Sequence, residues 1–375
     1  MDLTIRQSRN RNARLLRAKW AVVIFASSLM AIWCPAAISK TLAPSEQYLS
    51  DEDVVSWASG GHFVAACWSD GIVAVFDTEN GKRISRWMVD PKKDGMVRQL
   101  LLTTAEPARA AIITDKDALT FYDAGNGQPI VVAQIKTSEL QEVLGFSSDG
   151  KLFFCTTTAQ RLISIDVEKG NLVSSVKLLE GRVSGNTMWM ATLVSPDGKN
   201  AAVVLSNGVV GLNDKAKTMW NVSVDETRAL PNGAACQLPV QSHIVNACAI
   251  YDAPQRTLMS VSLVDGKVGW QTKDFELTDV RGVSEDGQAL CLEKSGRVTV
   301  ELPKEQRSVA ITAESVETEY RFAIGHKQLL CLPSPQVDHF DEAKNTSYLR
   351  RRSNLLKIVE TAGGRVLRSI EIKKD

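Results

Sequence analysis

The residues best able to bind a charged ligand are concentrated in one segment near the C-terminus. They are acidic or imidazole side chains followed by an arginine run: Asp338, His339, Asp341, Glu342, Arg350, Arg351 and Arg352. Carboxylates and a histidine can hold a divalent cation, and arginines can bind phosphate or carboxylate groups. The alternative is a solvated surface whose acidic and basic halves compensate each other. We predict a partner-binding insertion over 334–354, and we assign it no catalytic, cofactor-binding or metal role.

Local signals of catalysis are otherwise absent from the sequence. The four histidines form no His-Glu-x-x-His pair. There is neither a Gly-x-Ser-x-Gly nucleophile elbow nor a phosphate-binding Gly-x-x-x-x-Gly-Lys-Ser/Thr loop. We therefore expect no cofactor, although ligands drawn from distant parts of the chain would leave no local spacing.

A repeated phrase, Ser-x-Asp-Gly before a short apolar run, indicates the elements that position these residues. Its copies begin at Ser147, Ser195 and Ser284, so the intervals are 48 and 89 residues. The second interval is close to two periods of about 45 residues, and strand-rich periods of that length are typical of propeller blades.

The fullest copy predicts four short strands over 144–147, 152–157, 162–166 and 172–176, separated by Gly, Asp and Asn turns. Residues 54–375 have room for seven such copies of about 46 residues each. The sequence therefore predicts an all-β fold, a seven-bladed β-propeller with four antiparallel strands per blade. Tryptophans near the copy ends are expected to pack between blades, namely Trp87, Trp220 and Trp270.

These repeats resemble those of bacterial WD-repeat and YVTN-type propellers. The likeness rests on Ser-x-Asp-Gly-Lys and on endings such as Phe76-Asp77 and Tyr122-Asp123. Later copies look more like quinoprotein-type repeats, in which a tryptophan follows a turn glycine by four residues, as Trp270 follows Gly266. The resemblance implies the fold for nearly the whole chain after residue 53. It implies no catalytic residue.

The N-terminus has the pattern of an export signal. Residues 1–39 contain six basic residues and one acid, with an apolar run over 20–33 and a small-residue site at Ala37-Ile38-Ser39. We predict a signal peptide over 1–39, a linker over 40–53 and the propeller over 54–375, which places the protein in the periplasm or outside the cell. The alternative is an uncleaved inner-membrane anchor through 20–33.

The cysteines of the propeller read mainly as small core residues. Four lie inside apolar runs that predict buried strands: Cys67, Cys155, Cys291 and Cys331. Cys236 and Cys248 flank a predicted turn and are the one pair that could form a disulfide. No Cys-x-x-Cys motif supports a zinc or redox site.

A binding function fits these features best. After residue 39 the chain carries a net charge of −4, which offers no basic surface for nucleic acid. We expect an exported WD40-like propeller that acts as a non-catalytic scaffold for a protein partner, with membrane contact only if the N-terminus is uncleaved. The alternatives are a periplasmic enzyme with its site in the central channel, either a metal-dependent lactonase or a quinoprotein-like oxidoreductase, and an anchored assembly factor.

Overall fold

The computed structural model describes residues 54–178, 189–223, 243–252, 255–273, 279–284, 286–311, 319–323, 327–332 and 355–374 in full. It describes the backbone alone of residues 236–237, 318, 333, 336–341 and 346–350. The predicted signal peptide and linker lie outside these residues. In the part of the chain that is described, no helix has the length and apolar character needed to cross a bilayer.

The chain forms seven successive four-stranded antiparallel sheets. Blades 1 to 3 are β1 (Val54–Gly60), β2 (Phe63–Trp68), β3 (Ile72–Asp77) and β4 (Arg83–Met88); β5 (Val97–Leu102), β6 (Arg109–Thr114), β7 (Leu119–Asp123) and β8 (Pro129–Val132); and β9 (Leu140–Phe146), β10 (Leu152–Thr157), β11 (Arg161–Asp166) and β12 (Leu172–Lys177). Blades 4 and 5 are β13 (Trp189–Val194), β14 (Asn200–Leu205), β15 (Gly208–Asn213) and β16 (Thr218–Ser223); and β17 (Cys236–Gln237), β18 (Ala247–Asp252), β19 (Thr257–Ser262) and β20 (Val268–Thr272). Blade 6 is β21 (Val280–Val283), β22 (Leu290–Lys294), β23 (Arg297–Leu302) and β24 (Arg307–Ile311). Blade 7 is β25 (Thr318–Ala323), β26 (Gln328–Pro333), β29 (Leu355–Glu360) and β30 (Val366–Glu371), and a separate pair, β27 (Gln336–Asp341) and β28 (Thr346–Arg350), lies between its second and third strands in sequence.

The seven sheets are arranged as a propeller around a central axis. The first strand of one blade contacts the first strand of the next, as β1 does with β5 and β9 with β13, so these strands are the innermost. Contact between β1 and β25 closes the ring. The sequence prediction of a seven-bladed, four-stranded propeller is confirmed.

The second and third strands of blade 1 are buried on both faces, which explains their continuous apolar runs. On β2, Val64 and Ala66 pack in a cluster with blade 7, whereas Ala65 and Cys67 pack in a cluster with blade 2. Successive side chains of a strand point to opposite faces, so one strand contributes to two blade interfaces. Small side chains suit β2, because the neighbouring blades pack against both faces of this strand.

The cysteine predictions are confirmed for the four strand positions. Those thiols and that of Cys248 are free and buried. The pairing of Cys236 with Cys248, which the sequence left open, is excluded, because Cys248 is free. The register sets Cys236 opposite Asp252, four residues along β18 from Cys248, which puts the two Cα atoms roughly 13 Å apart. A disulfide needs a Cα separation below about 7 Å.

Tryptophans of the outer strands pack between blades, as predicted, and two of them lie against turn glycines of the next blade. Trp220 on β16 lies against Gly266 of blade 5, and its Nε1–H donates to the Leu263 carbonyl at 3.1 Å. Gly266 has a φ of +71°, and a Cβ there would lie 2.7 Å from the Trp220 ring. Trp87 packs in the same way on Gly127 of blade 2 and stacks with Tyr122 at 5.6 Å.

The ring closes through side-chain packing between blades 7 and 1. Trp57 of β1 donates from Nε1 to Glu319 of β25 at 2.5 Å, and the Arg321 guanidinium lies 4.4 Å from its ring centroid. Past β30, Ile372 is buried in the cluster shared by the two blades. Lys374 then forms an ion pair with Asp70 at 2.5 Å. The C-terminal residues therefore fasten the last blade to the first.

Candidate functional site

The Ser-x-Asp-Gly phrase forms the turn between the first and second strands of a blade. In blade 3 the buried Ser147 hydroxyl donates to Asp149 Oδ1 at 2.7 Å and accepts from the Leu152 N–H at 3.0 Å. The Asp149 carboxylate also accepts from the Lys151 N–H at 3.1 Å. Gly150 has a φ of +69°, which glycine adopts without strain. These residues are therefore occupied in holding the turn.

The same arrangement recurs in blades 4 and 6. Ser195 donates to Asp197 Oδ1 at 2.6 Å, and Ser284 donates to Asp286 Oδ1 at 2.7 Å. The hydroxyl donor is the main reason why the pKa of Asp197 is below its ordinary value, as it is for Asp149. Since hydrogen bonding favours the ionised carboxylate, the lowered pKa has a structural cause and does not indicate catalysis.

The predicted partner-binding insertion forms a β-hairpin. β27 pairs antiparallel with β28, from Gln336 opposite Arg350 at the base to Asp341 opposite Thr346 beside the turn. Asp338 and His339 also lie on β27, and a register shift falls between Val337 and His339. The structure thus gives the insertion a secondary structure that its polar composition did not predict.

The hairpin places Asp341 and Arg350 at opposite ends of its length, whereas Asp338 lies two positions from Gln336, the partner of Arg350. The backbone of Asp341 is at the turn end, whereas that of Arg350 is at the base, roughly 16 Å away along the strands. Glu342, Arg351 and Arg352 lie outside the described residues. The role of these residues in binding a partner stays a prediction.

The topology places the hairpin on the same end of the propeller as the long connections between blades. In an antiparallel meander the turns from first to second and from third to fourth strand share one end. The second-to-third turn and the passage to the next blade share the other. The hairpin follows β26, a second strand, and so lies at the end of the propeller where β12 and β16 end. We call this end the hairpin face and the opposite one the turn face.

A second group of polar residues lies near the axis, where three blades meet. The Glu142 carboxylate on β9 accepts from the Thr192 N–H of β13 at 3.1 Å. The His243 Nδ1 lies 3.0 Å from the Thr192 carbonyl and 3.4 Å from Glu142 Oε1. Both ionisable side chains are 24% exposed. We call these residues the axial cluster.

Burial perturbs the pKa of the carboxyl in the axial cluster. Desolvation raises the pKa of Glu142, and the charge of His243 and the Thr192 N–H act in the opposite direction. Because the Thr192 carbonyl is an acceptor only, Nδ1 of His243 must carry the proton. Sequence analysis missed this cluster, since its members are 50 and 51 positions apart and belong to no motif.

The described residues contain no group of three or more His, Cys, Asp or Glu side chains placed to hold a metal ion. The axial cluster offers one imidazole and one carboxylate.

The fold defines the chain as a member of the β-propeller class. No protein-family model matches it, and no curated protein matches its sequence. The Swd1 propeller domain of Myceliophteria thermophila is 10% identical, with a TM-score of 0.50 over 75% of this chain and 96% of that one. Raptor of Chaetomium thermophilum is 7% identical, with a TM-score of 0.50 over 76% of this chain and 28% of that one.

BamB of Moraxella catarrhalis is 12% identical, with a TM-score of 0.43 over 75% of this chain and 82% of that one. At such identities the likeness extends to the fold alone. The Swd1 and Raptor propellers agree with the propeller fold, and the resemblance to bacterial WD-repeat, YVTN and quinoprotein-like families stays a prediction.

Proposed function

We propose that this protein is an exported WD40-like propeller that binds a protein partner through its hairpin face and performs no covalent chemistry. The observation that carries the proposal is the β27–β28 hairpin, which interrupts an otherwise regular blade. Rigid scaffolds place recognition in the loops that vary, because the strands fix the geometry.

The hairpin has the properties of a docking element. Within the described strands, β27 and β28 pair with each other and with no blade. A two-stranded hairpin in isolation is marginally stable in water, and unpaired strand edges accept an extended segment of another chain. A partner strand added to either edge would stabilise the hairpin while it is being bound.

The turn face offers less for recognition. Several of its turns share one pattern, in which the carboxylate or amide oxygen at the start of the turn accepts main-chain N–H groups. Asp166 accepts from the N–H groups of Glu168 and Lys169, both at 2.9 Å, and Asn213 accepts from those of Lys215 and Lys217. Side-chain oxygens that are already hydrogen-bonded within their own turns contribute little to binding a partner.

The test compares the full chain with a variant in which 334–354 is replaced by Ser-Asn-Gly, the turn that joins β14 to β15. A matched control changes the turn face of the same blade, with 362–365 replaced by the Glu-Asn-Gly-Lys of 79–82. Native complexes are cross-linked, purified and quantified by mass spectrometry, and direct binding of the recovered partner is then measured with purified proteins.

We expect the affinity of the hairpin variant for the partner to fall at least about tenfold, which corresponds to about 1.4 kcal/mol of binding free energy. The control should keep the affinity of the full chain. Equal recovery by all three proteins would refute the docking role of the hairpin. Export is tested separately by N-terminal sequencing of the protein from its cellular location. A mature chain that begins at Lys40 supports the proposal, and an intact N-terminus supports the anchored alternative.

A further inference from the structure

The first strands of blades 3 and 4 carry the same irregularity near their beginnings. The pairing of β9 with β10 skips Gln141, and the pairing of β13 with β14 skips Met190. Bulges of this kind re-aim side chains and are common beside functional sites. Both skipped side chains are exposed, that of Met190 by 42%. Because these strands are the innermost ones and begin at the hairpin face, the two bulges lie at the mouth of the central channel on that face.

The Glu142 carboxylate, next to the first bulge, reaches into the interface between the two blades. It accepts from the Thr192 N–H of blade 4 at 3.1 Å and is 24% exposed. In the described part of the chain its ion-pair contact is the His243 imidazole at 3.4 Å, and no lysine or arginine pairs with it. A carboxylate that has lost most of its water is stabilised by a cation that takes the place of that water.

Two buried threonine hydroxyls face the same interface. Thr156 is directly opposite Glu142 in the register of β9 and β10, so the two side chains lie on one face of blade 3. Thr192 shares its face of β13 with Val194, which packs between blades 3 and 4. Thr156 and Thr192 are 1% and 0% exposed, and among the described residues neither Oγ1 has a hydrogen-bond partner. Buried polar atoms are normally paired, so these two oxygens indicate a ligand.

We propose that Glu142, Thr156 and Thr192 form a binding site for a primary ammonium group at the mouth of the channel. An ammonium has three N–H donors, which match one carboxylate and two hydroxyl oxygens. Its charge offsets that of the half-buried carboxylate, and its compact shape suits hydroxyls that are almost fully buried. The alkyl chain that carries the ammonium leaves the site past Met190, whose thioether side chain adapts to apolar groups.

The same acceptors discriminate against other organic cations. A guanidinium is a planar fork that matches oxygens lying in its own plane, whereas these oxygens come from two facing sheets. A quaternary ammonium has no N–H to donate. Lysine side chains of a protein partner and small free amines share the required chemistry. The site contains no residue of 334–354, so it can be tested independently of the docking role of the hairpin.

The test follows the methyl group of Met190 by NMR in the full chain with methyl-labelled methionine, and Met190→Leu assigns the signal. At about pH 8, where an alkylamine is protonated, n-butylammonium chloride should shift this signal and saturate in the millimolar range, as expected of so small a ligand. Tetramethylammonium, n-butylguanidinium and potassium chlorides at the same concentrations should shift it much less. Met219, exposed on the outer strand of the same blade, is the internal control and should not respond.

Three variants assign the acceptors. Glu142→Gln keeps an oxygen but removes the charge, and it should weaken n-butylammonium binding at least about tenfold. Thr156→Val and Thr192→Val each remove one hydroxyl and should weaken binding about fivefold. The matched control is Thr114→Val, because Thr114 Oγ1 is also buried without a partner among the described residues but lies on blade 2. Valine in place of an unpartnered buried hydroxyl should leave each protein folded.

Two peptides distinguish the sources of the ammonium group, acetyl-Gly-Gly-Lys-Gly-Gly-amide and its form with an acetylated lysine side chain. Tighter binding of the first peptide than of n-butylammonium assigns the site to a lysine of a partner, and the reverse order assigns it to a small free amine. The acetylated peptide should not bind. No response of Met190 to n-butylammonium, an equal response to potassium, unchanged affinity in Glu142→Gln, or an equal loss in Thr114→Val would each overturn the proposal.

Discussion

Ser147→Ala tests whether the repeated turn phrase is structural. The substitution removes a buried hydroxyl that donates to Asp149 at 2.7 Å and accepts from the Leu152 N–H at 3.0 Å. A hydrogen bond to a charged group contributes about 1.5–3 kcal/mol, and water reaches the exposed Asp149 and offsets part of its loss. We expect the free energy of unfolding to fall by about 2 kcal/mol. The neighbouring Ser148 is exposed, so Ser148→Ala should change it by less than about 0.5 kcal/mol.

Equilibrium unfolding in guanidinium chloride measures both variants, and a pH series adds a second check. The Ser147 hydroxyl is the main cause of the lowered pKa of Asp149, so its contribution is present above about pH 4 and is lost as the pH falls through the lowered value. The difference between Ser147→Ala and the wild type should therefore shrink in acid. Equal stability of the two alanine variants at neutral pH would refute the structural interpretation of the phrase.

Three further predictions concern packing. Gly266→Ala should lower the unfolding free energy by roughly 2–4 kcal/mol, because the added Cβ clashes with Trp220 and the residue keeps a positive φ. Gly296→Ala is the control: it has a positive φ but open space around it, and it should cost about 1 kcal/mol. Thermal unfolding measures both variants. Removal of 372–375 should cost at least about 2 kcal/mol in chemical unfolding, because the buried Ile372 is lost from the ring closure. The five cysteines described as free and buried should resist alkylation in the native protein and react on unfolding, as judged by mass spectrometry. Burial limits access to the thiols and raises the thiol pKa, to about 12 for Cys331.

The repeat itself made most of the fold predictable from sequence. Turn residues with positive φ recur at fixed distances from apolar runs, and a local hydrogen-bond network such as that of Ser147 depends on residues within five positions. Local patterns of this kind survive in a single sequence. The packing of tryptophans between blades was predictable for the same reason, since they recur near the copy ends.

The axial cluster was not predictable, because its geometry arises from the closure of the ring. Glu142 and His243 are brought together when β9 packs beside β13 and when the chain returns along the axial edge. Neither residue differs in sequence context from ordinary polar positions. The strands of the hairpin were missed for another reason. Its polar composition lacks the apolar alternation from which strands are recognised.

The two faces of the propeller differ in the chemistry that they can perform, and this difference favours binding on the hairpin face. At the turn face, carboxylates such as Asp77 are committed to the N–H groups of their own turns, here that of Glu79 at 2.6 Å. A carboxylate that left its turn to bind a ligand would cost the turn these hydrogen bonds, a loss that water partly offsets because the bonded groups are exposed. The hairpin is held to no blade sheet among the described strands and carries no such cost. A partner that pairs with its edge gains backbone hydrogen bonds without breaking any that the propeller needs.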